Sequence, residues 1–166
     1  MAQAATRMQV LIARLAVALL VILLGLGLFW YGMSMEVQKR FWTDIFERPG
    51  GPMTFRFILQ PAMAAVAALH DGIQDARTGR PTYLWTLITT PQEHGDYLRD
   101  ALISTARIIL LGLGMDAIYQ ATVLKTFYPG EMVIVALLLA FVPYLILRGP
   151  FARIARWWMN RRMAGN

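Results

Sequence analysis

The chain has 166 residues and a formal charge of +6; 57% of the residues are hydrophobic, 16% are charged, and the mean hydropathy is +0.48. An ordinary soluble domain carries about 45–50% apolar and about 25% charged residues, so the composition excludes one and points to an integral membrane protein. With no cysteine, disulfide scaffolds, thiolate metal sites and cysteine nucleophiles are excluded as well.

In chain order, the first apolar block is Leu15–Met35, an uncharged run of 21 residues. That exceeds the ~7–15 residues of a signal-peptide core and matches the ~20 that a hydrocarbon layer about 30 Å thick requires. An uncleaved span is expected, with Phe29, Trp30 and Tyr31 as an interfacial aromatic belt. Arg48-Pro-Gly-Gly-Pro52 then breaks any helix and marks a boundary.

Phe57–Leu69 is uncharged for only 13 residues, which is short for a span. From Pro61 onward Ala62, Val66, Leu69, Ile73 and Ala76 recur at helical spacing, with Asp71, Gln74, Asp75 and Thr78 opposite. The pattern predicts an amphipathic interfacial or re-entrant helix ending at Gly79, with a further full span as the alternative. Asp71, Asp75 and Arg77 read as surface charges, and Arg80-Pro81 as a linker.

Thr90-Pro-Gln-Glu93 is a capping box with proline at the first helical position. The helix it opens should cross the membrane between Arg107 and Lys125, which are 18 residues apart, or about 27 Å. The connection Thr126–Glu131, six residues with Pro-Gly inside, forces an antiparallel hairpin with a third span over Met132–Leu147. Pro143 should kink that span near its end.

After Arg148-Gly-Pro150 the tail carries Phe151, Ile154, Ala155 and Trp158 on one face and Arg153, Arg156 and Asn160 on the other. It is expected to lie flat in the headgroup layer. Arg148, Arg153, Arg156, Arg161 and Arg162, with Trp157 and Trp158, would anchor it to anionic lipids; no acid occurs in these last 19 residues. A nucleic-acid partner is not expected, because no basic stripe lies elsewhere for a duplex to follow.

The fold expected is therefore all-α: three transmembrane helices, an amphipathic interfacial or re-entrant helix, and a basic amphipathic C-terminal helix. The parts are an N-terminal anchor and interfacial segment over 1–52, the amphipathic helix and linker over 53–90, a transmembrane hairpin over 91–148, and a basic tail over 149–166. Counting lysine and arginine alone puts the C-terminus in the cytoplasm and, for three spans, the N-terminus outside.

Asp116 is the residue that stands out chemically. It sits midway between Arg107 and Lys125, at a depth where a carboxylate costs roughly 2.5–3.5 kcal/mol on insertion scales. Thr105, Ile109, Gly112, Asp116, Tyr119 and Gln120 share one helical side, so this stripe should face protein or water. Gly114, Ala117 and Ala121 form a neighbouring small-residue face on which another helix could rest.

No cation of this chain is expected beside Asp116, and Tyr144 is the polar side chain expected closest to it on the third span. The expected role of Asp116, Gly112, Tyr119, Gln120 and Tyr144 is thus to meet a partner helix or an ion, or else to act as internal hydrogen-bonding glue. His70, Asp71, Asp75, His94 and Asp96 make only a loose constellation, and no metal or other cofactor is expected. Nor is an enzyme, since no nucleophile, base and orienting group can be assembled.

Met53-Thr-Phe-Arg-Phe-Ile-Leu-Gln-Pro-Ala, Asp71-Gly-Ile-Gln-Asp-Ala-Arg-Thr-Gly-Arg80, Met115-Asp-Ala-Ile-Tyr-Gln120, Phe127-Tyr-Pro-Gly-Glu131 and Val135-Ala-Leu-Leu-Leu-Ala-Phe-Val-Pro-Tyr144 are distinctive together. Over residues 53–156 the chain resembles a group of short bacterial integral membrane proteins. The resemblance implies a bacterial inner membrane and carries no activity. The expected role is association, as an accessory subunit or self-assembling hairpin, with an oligomeric proton or cation conductor built on Asp116 as the alternative.

Overall fold

The computed structural model describes residues 6–32, 54–79 and 94–164, with isolated positions between 35 and 50. The expected breaker at 48–52 (apart from Gly50), the linker at 80–81, the capping box at 90–93 and the side chain of Arg162 lie outside the described residues.

Helix α1 spans Arg7–Tyr31 and opens on a capping box. The Gln9 amide donates to Thr6 Oγ1 at 3.3 Å while the Thr6 amide donates to Gln9 Oε1 at 2.8 Å, satisfying two amides that would otherwise lack partners. Gly32 ends the helix at φ +64°, a conformation that costs glycine little. Helix α2 spans Arg56–Thr78 and closes on Gly79, left-handed at φ 69°.

Helix α3 spans His94–Tyr119, and its end widens into a π-helical turn over Gln120–Leu124. Helix α4, Pro129–Ala136, starts with proline where no amide partner is needed. A second π-helical turn over Leu137–Phe141 links it to α5, Val142–Ala164. That turn has a cause two residues on. The Pro143 ring would clash with the carbonyl four residues back and cannot donate to it, and an inserted residue moves the carbonyl away. Pro150 does not end α5, so the C-terminal segment continues the third span as one helix, where a separate surface helix was expected.

All described elements are helical. Three helices among them, Arg7–Tyr31, Gly95–Leu124 and Pro129–Arg161, are long and apolar enough to cross a membrane, as expected. Their directions follow from contacts at the two ends. At one end, the Tyr31 hydroxyl donates to the Phe127 carbonyl at 2.8 Å, and Trp30 and Tyr31 meet Phe127 and Tyr128 with ring centroids 6.3 and 5.1 Å apart. At the other end, Val10–Ala18 of α1 lie beside Gly95–Ile103 of α3. Helices α1 and α3 are therefore parallel, and α4–α5 returns against them.

Helix α2 departs most from expectation. Its N-terminal Arg56 meets Asp116, and its C-terminal Asp75 meets Arg148, so it lies antiparallel to α3 and parallel to α4–α5, level with both over its length. Its buried face is Arg56, Gln60, Ala64, Ala68, Gly72, Asp75 and Ala76. Ile58, Leu59, Val66 and Leu69 point outward, with Ile58 73% and Val66 68% exposed. Of the expected apolar side, Ala62, Val66 and Leu69 are exposed, Ile73 is half-buried and Ala76 is buried, while an arginine, a glutamine and an aspartate also face in. The small residues Ala64, Ala68 and Gly72 let the neighbouring helix come close. A Cβ on Gly72 would lie 3.0 Å from the Ala152 amide nitrogen and the Arg148 carbonyl oxygen.

Candidate functional site

The expected stripe on α3 is the buried face of that helix. Thr105, Ile109, Asp116 and Gln120 are 0% exposed, Tyr119 is 6% exposed, and Gly112 is buried among them. The chain's own α2 and α4 cover the stripe, Gln60 and Ala136 both lying against Gly112. Arg56 Nη1 donates to Asp116 Oδ1 at 2.6 Å, so the expectation that no internal cation reaches Asp116 is corrected. The guanidinium carbon lies 4.6 Å from the centroid of the Tyr119 ring and 5.2 Å from that of Phe57, close enough for cation–π attraction.

Gln120 completes this cluster. Its Nε2 donates to Asp116 Oδ2 at 2.8 Å and to the Tyr128 carbonyl at 3.1 Å, while its Oε1 accepts from the Tyr128 amide at 2.7 Å. One side chain thus ties the carboxylate to the turn between α3 and α4. Deeper in, Gln60 is 1% exposed, and a Cβ on Gly112 would sit 2.9 Å from its Nε2. The glycine makes room for the amide. Neither amide atom of Gln60, nor Arg56 Nε or Nη2, bonds to a described residue.

A second cluster lies toward the other end of the helices, and it holds Tyr144. The Tyr144 hydroxyl donates to Asp71 Oδ2 at 2.6 Å, as does the Ser104 hydroxyl at 2.6 Å. Arg148 Nε and Nη2 donate to Asp75 Oδ2 and Oδ1 at 2.7 and 3.0 Å, and Nη1 donates to Tyr144 Oη at 2.8 Å. The two-pronged pairing uses the planar fork of arginine. Tyr144 is therefore not Asp116's neighbour, and Arg148, 4% exposed, is not a surface anchor. Asp75, also 4% exposed, is not a surface charge, and Asp71 is half-buried. The reason is common to all four: α2 packs along the spans, where it had been expected on the membrane surface.

Between the clusters Ala64, Ala68, Ile109 and Ala140 are all 0% exposed. Of the expected anchors, Arg153, Trp157, Trp158 and Arg161 are exposed and Arg156 is half-buried, with the Arg161 guanidinium 4.1 Å from the centroid of the Trp157 ring. His70 is exposed and turned away from Asp75. Of the small-residue face on α3, Gly114 and Ala121 are exposed and a Cβ on Gly114 would meet nothing within 4 Å, whereas Ala117 between them is partly buried against the core.

Two residues central to the site, Arg56 and Gln60, escape a reading by hydrophobic periodicity. The spacing Arg56, Gln60, Ala64, Ala68, Gly72, every fourth residue and small in its second half, is the signal that identifies their face. The fold and its two charged clusters define a multi-pass helical membrane protein with an ion-paired polar core. Comparison with protein-family models, curated proteins and solved structures finds no match.

Proposed function

We propose that this chain is a non-enzymatic bacterial inner-membrane protein that works by association, as an accessory subunit or a self-assembling unit of a larger membrane complex. The observation that carries this reading is the division of α3. Its polar side is consumed by Arg56 of the same chain, while Gly114 and Ala121 remain uncovered. The docking surface therefore shifts from the Asp116 stripe to the small-residue face, where a second helix approaches closely enough for dense van der Waals packing.

The test is site-directed crosslinking in native membranes followed by mass determination in mild detergent. Single cysteines at Gly114 and Ala121 should crosslink to a second chain, and Gly114→Leu should abolish the crosslinked species while the protein stays folded. A monomer that gives no crosslink at either position would contradict the proposal.

A second reading, conduction of protons or cations past Asp116, is favoured by one observation. Arg56 Nε, Arg56 Nη2 and both Gln60 amide atoms have no partner among the described residues, leaving hydrogen-bonding capacity beside the carboxylate. It predicts flux in proteoliposomes that Asp116→Asn removes with assembly intact.

The reading includes a topology. Helix α2, at 23 residues and thus about 34 Å, is a fourth crossing, which brings both termini to one side. Arg7, Arg14, Arg77, Arg99, Arg153, Arg156 and Arg161 then share that side, while Lys125 and, by their place in the sequence between α1 and α2, Lys39, Arg40 and Arg48 belong to the opposite one. The distribution supports a cytoplasmic location for both ends, by the preference of lysine and arginine for the inner face.

A further inference from the structure

A groove of about 660 Å³ runs between α1 and α3 at the end of the helices where the arginines gather. Its walls are Val10, Ala13, Val17 and Ala18 on α1 and Leu98, Leu102 and Ile103 on α3. Arg14 and Arg99 line it as well, each a single turn past the mouth formed by Val10 and Gly95. Because the helices are parallel, Arg14 and Arg99 occupy corresponding positions, each four residues past Val10 and Gly95, and the described lining residues beyond them, Val17, Ala18, Leu102 and Ile103, are apolar.

Both arginines are exposed, and neither takes part in the Arg56–Asp116 or Arg148–Asp75 pairs. Asp96 and Asp100, on the same stretch of α3, do not line the groove. Two cations at the mouth and an apolar trough behind them match a molecule with an anionic head and a hydrocarbon tail, and the volume falls in the ~300–1,000 Å³ range of small-molecule sites. A packed helix from another protein would have to cover both guanidiniums without hydration. A lipid phosphate neutralises them where they stand.

We propose that this groove is a binding site for an anionic phospholipid, its phosphate held between Arg14 and Arg99 and one acyl chain lying along Val17, Ala18, Leu102 and Ile103. The site is separate from the small-residue face and does not depend on association. Only its assignment to the cytoplasmic leaflet, where anionic lipid is enriched, rests on the proposed topology. A measurement in detergent does not involve that topology.

The purified full chain is titrated with dioleoylphosphatidylglycerol or dioleoylphosphatidylcholine, and bound lipid is counted by native mass spectrometry. The first phosphatidylglycerol should bind at least 10-fold more tightly than phosphatidylcholine. Arg14→Ala with Arg99→Ala should weaken it about 30-fold, the combined effect of two interfacial cations. Ala18→Trp, at an exposed position, should fill the trough and weaken binding with both arginines in place. Arg153→Ala with Arg156→Ala on the C-terminal helix should leave the first site unchanged. Equal affinity for the two lipids, an unaffected double variant, loss of the site in the tail variant, or equal competition by glycerol phosphate lacking acyl chains would each overturn the assignment. Circular dichroism confirms that each variant is folded.

Discussion

Arg56 and Asp116 show what a charge in hydrocarbon requires. A carboxylate alone at that depth costs roughly 2.5–3.5 kcal/mol; paired with Arg56 at 2.6 Å, the two 1% and 0% exposed, it is tolerated because it also accepts from Gln120 and the guanidinium lies over Tyr119. Such a pair specifies an arrangement more than it adds stability, since desolvation offsets most of the attraction. Arg56→Met or Asp116→Leu alone should therefore cost about 3–5 kcal/mol by leaving one charge buried. The double variant should cost clearly less than the sum, measured by unfolding in detergent. Additive losses would mean the two side chains are not coupled. At the second cluster Tyr144→Phe removes a donor to Asp71 and an acceptor for Arg148, and should cost about 1–3 kcal/mol.

At the scale of elements, the three apolar spans were legible because an uncharged run of membrane length has few other meanings. The buried side of α3 was legible too, since Thr105, Ile109, Gly112, Asp116, Tyr119 and Gln120 fall on one side by spacing alone and are all buried. Helix α2 was misread for a physical reason. Periodicity picks out the bulky apolar side of a helix, but small residues let helices approach closely; Val66 and Leu69 of the expected side are exposed while Ala64, Ala68 and Gly72 carry the contact. Ala68→Leu should therefore be overpacked by about 1–3 kcal/mol, whereas Val66→Leu should change stability by less than about 0.5 kcal/mol. The reverse ranking in thermal unfolding would contradict the Ala64–Ala68–Gly72 contact face. Helix α1 is held through Gly27, where a Cβ would meet the Gly130 amide nitrogen at 2.7 Å. Gly27→Leu should separate α1 from α4 and expose it to protease, with the remaining helices retained.

The Arg56–Asp116 and Arg148–Asp75 pairs close within a single chain because α2 runs level with the spans; in the proposed topology it crosses the membrane with them. Partner search and lipid binding are then left to the outer faces, the open Gly114 side and the arginine-flanked groove. A chain without cysteine makes the decisive experiment direct. Single variants Met8→Cys, Lys125→Cys and Arg161→Cys in sealed membrane vesicles are treated with a membrane-impermeant maleimide from each side. The account requires Met8→Cys and Arg161→Cys to react from one side and Lys125→Cys from the other; labelling of Met8→Cys and Arg161→Cys from opposite sides would show that α2 does not cross.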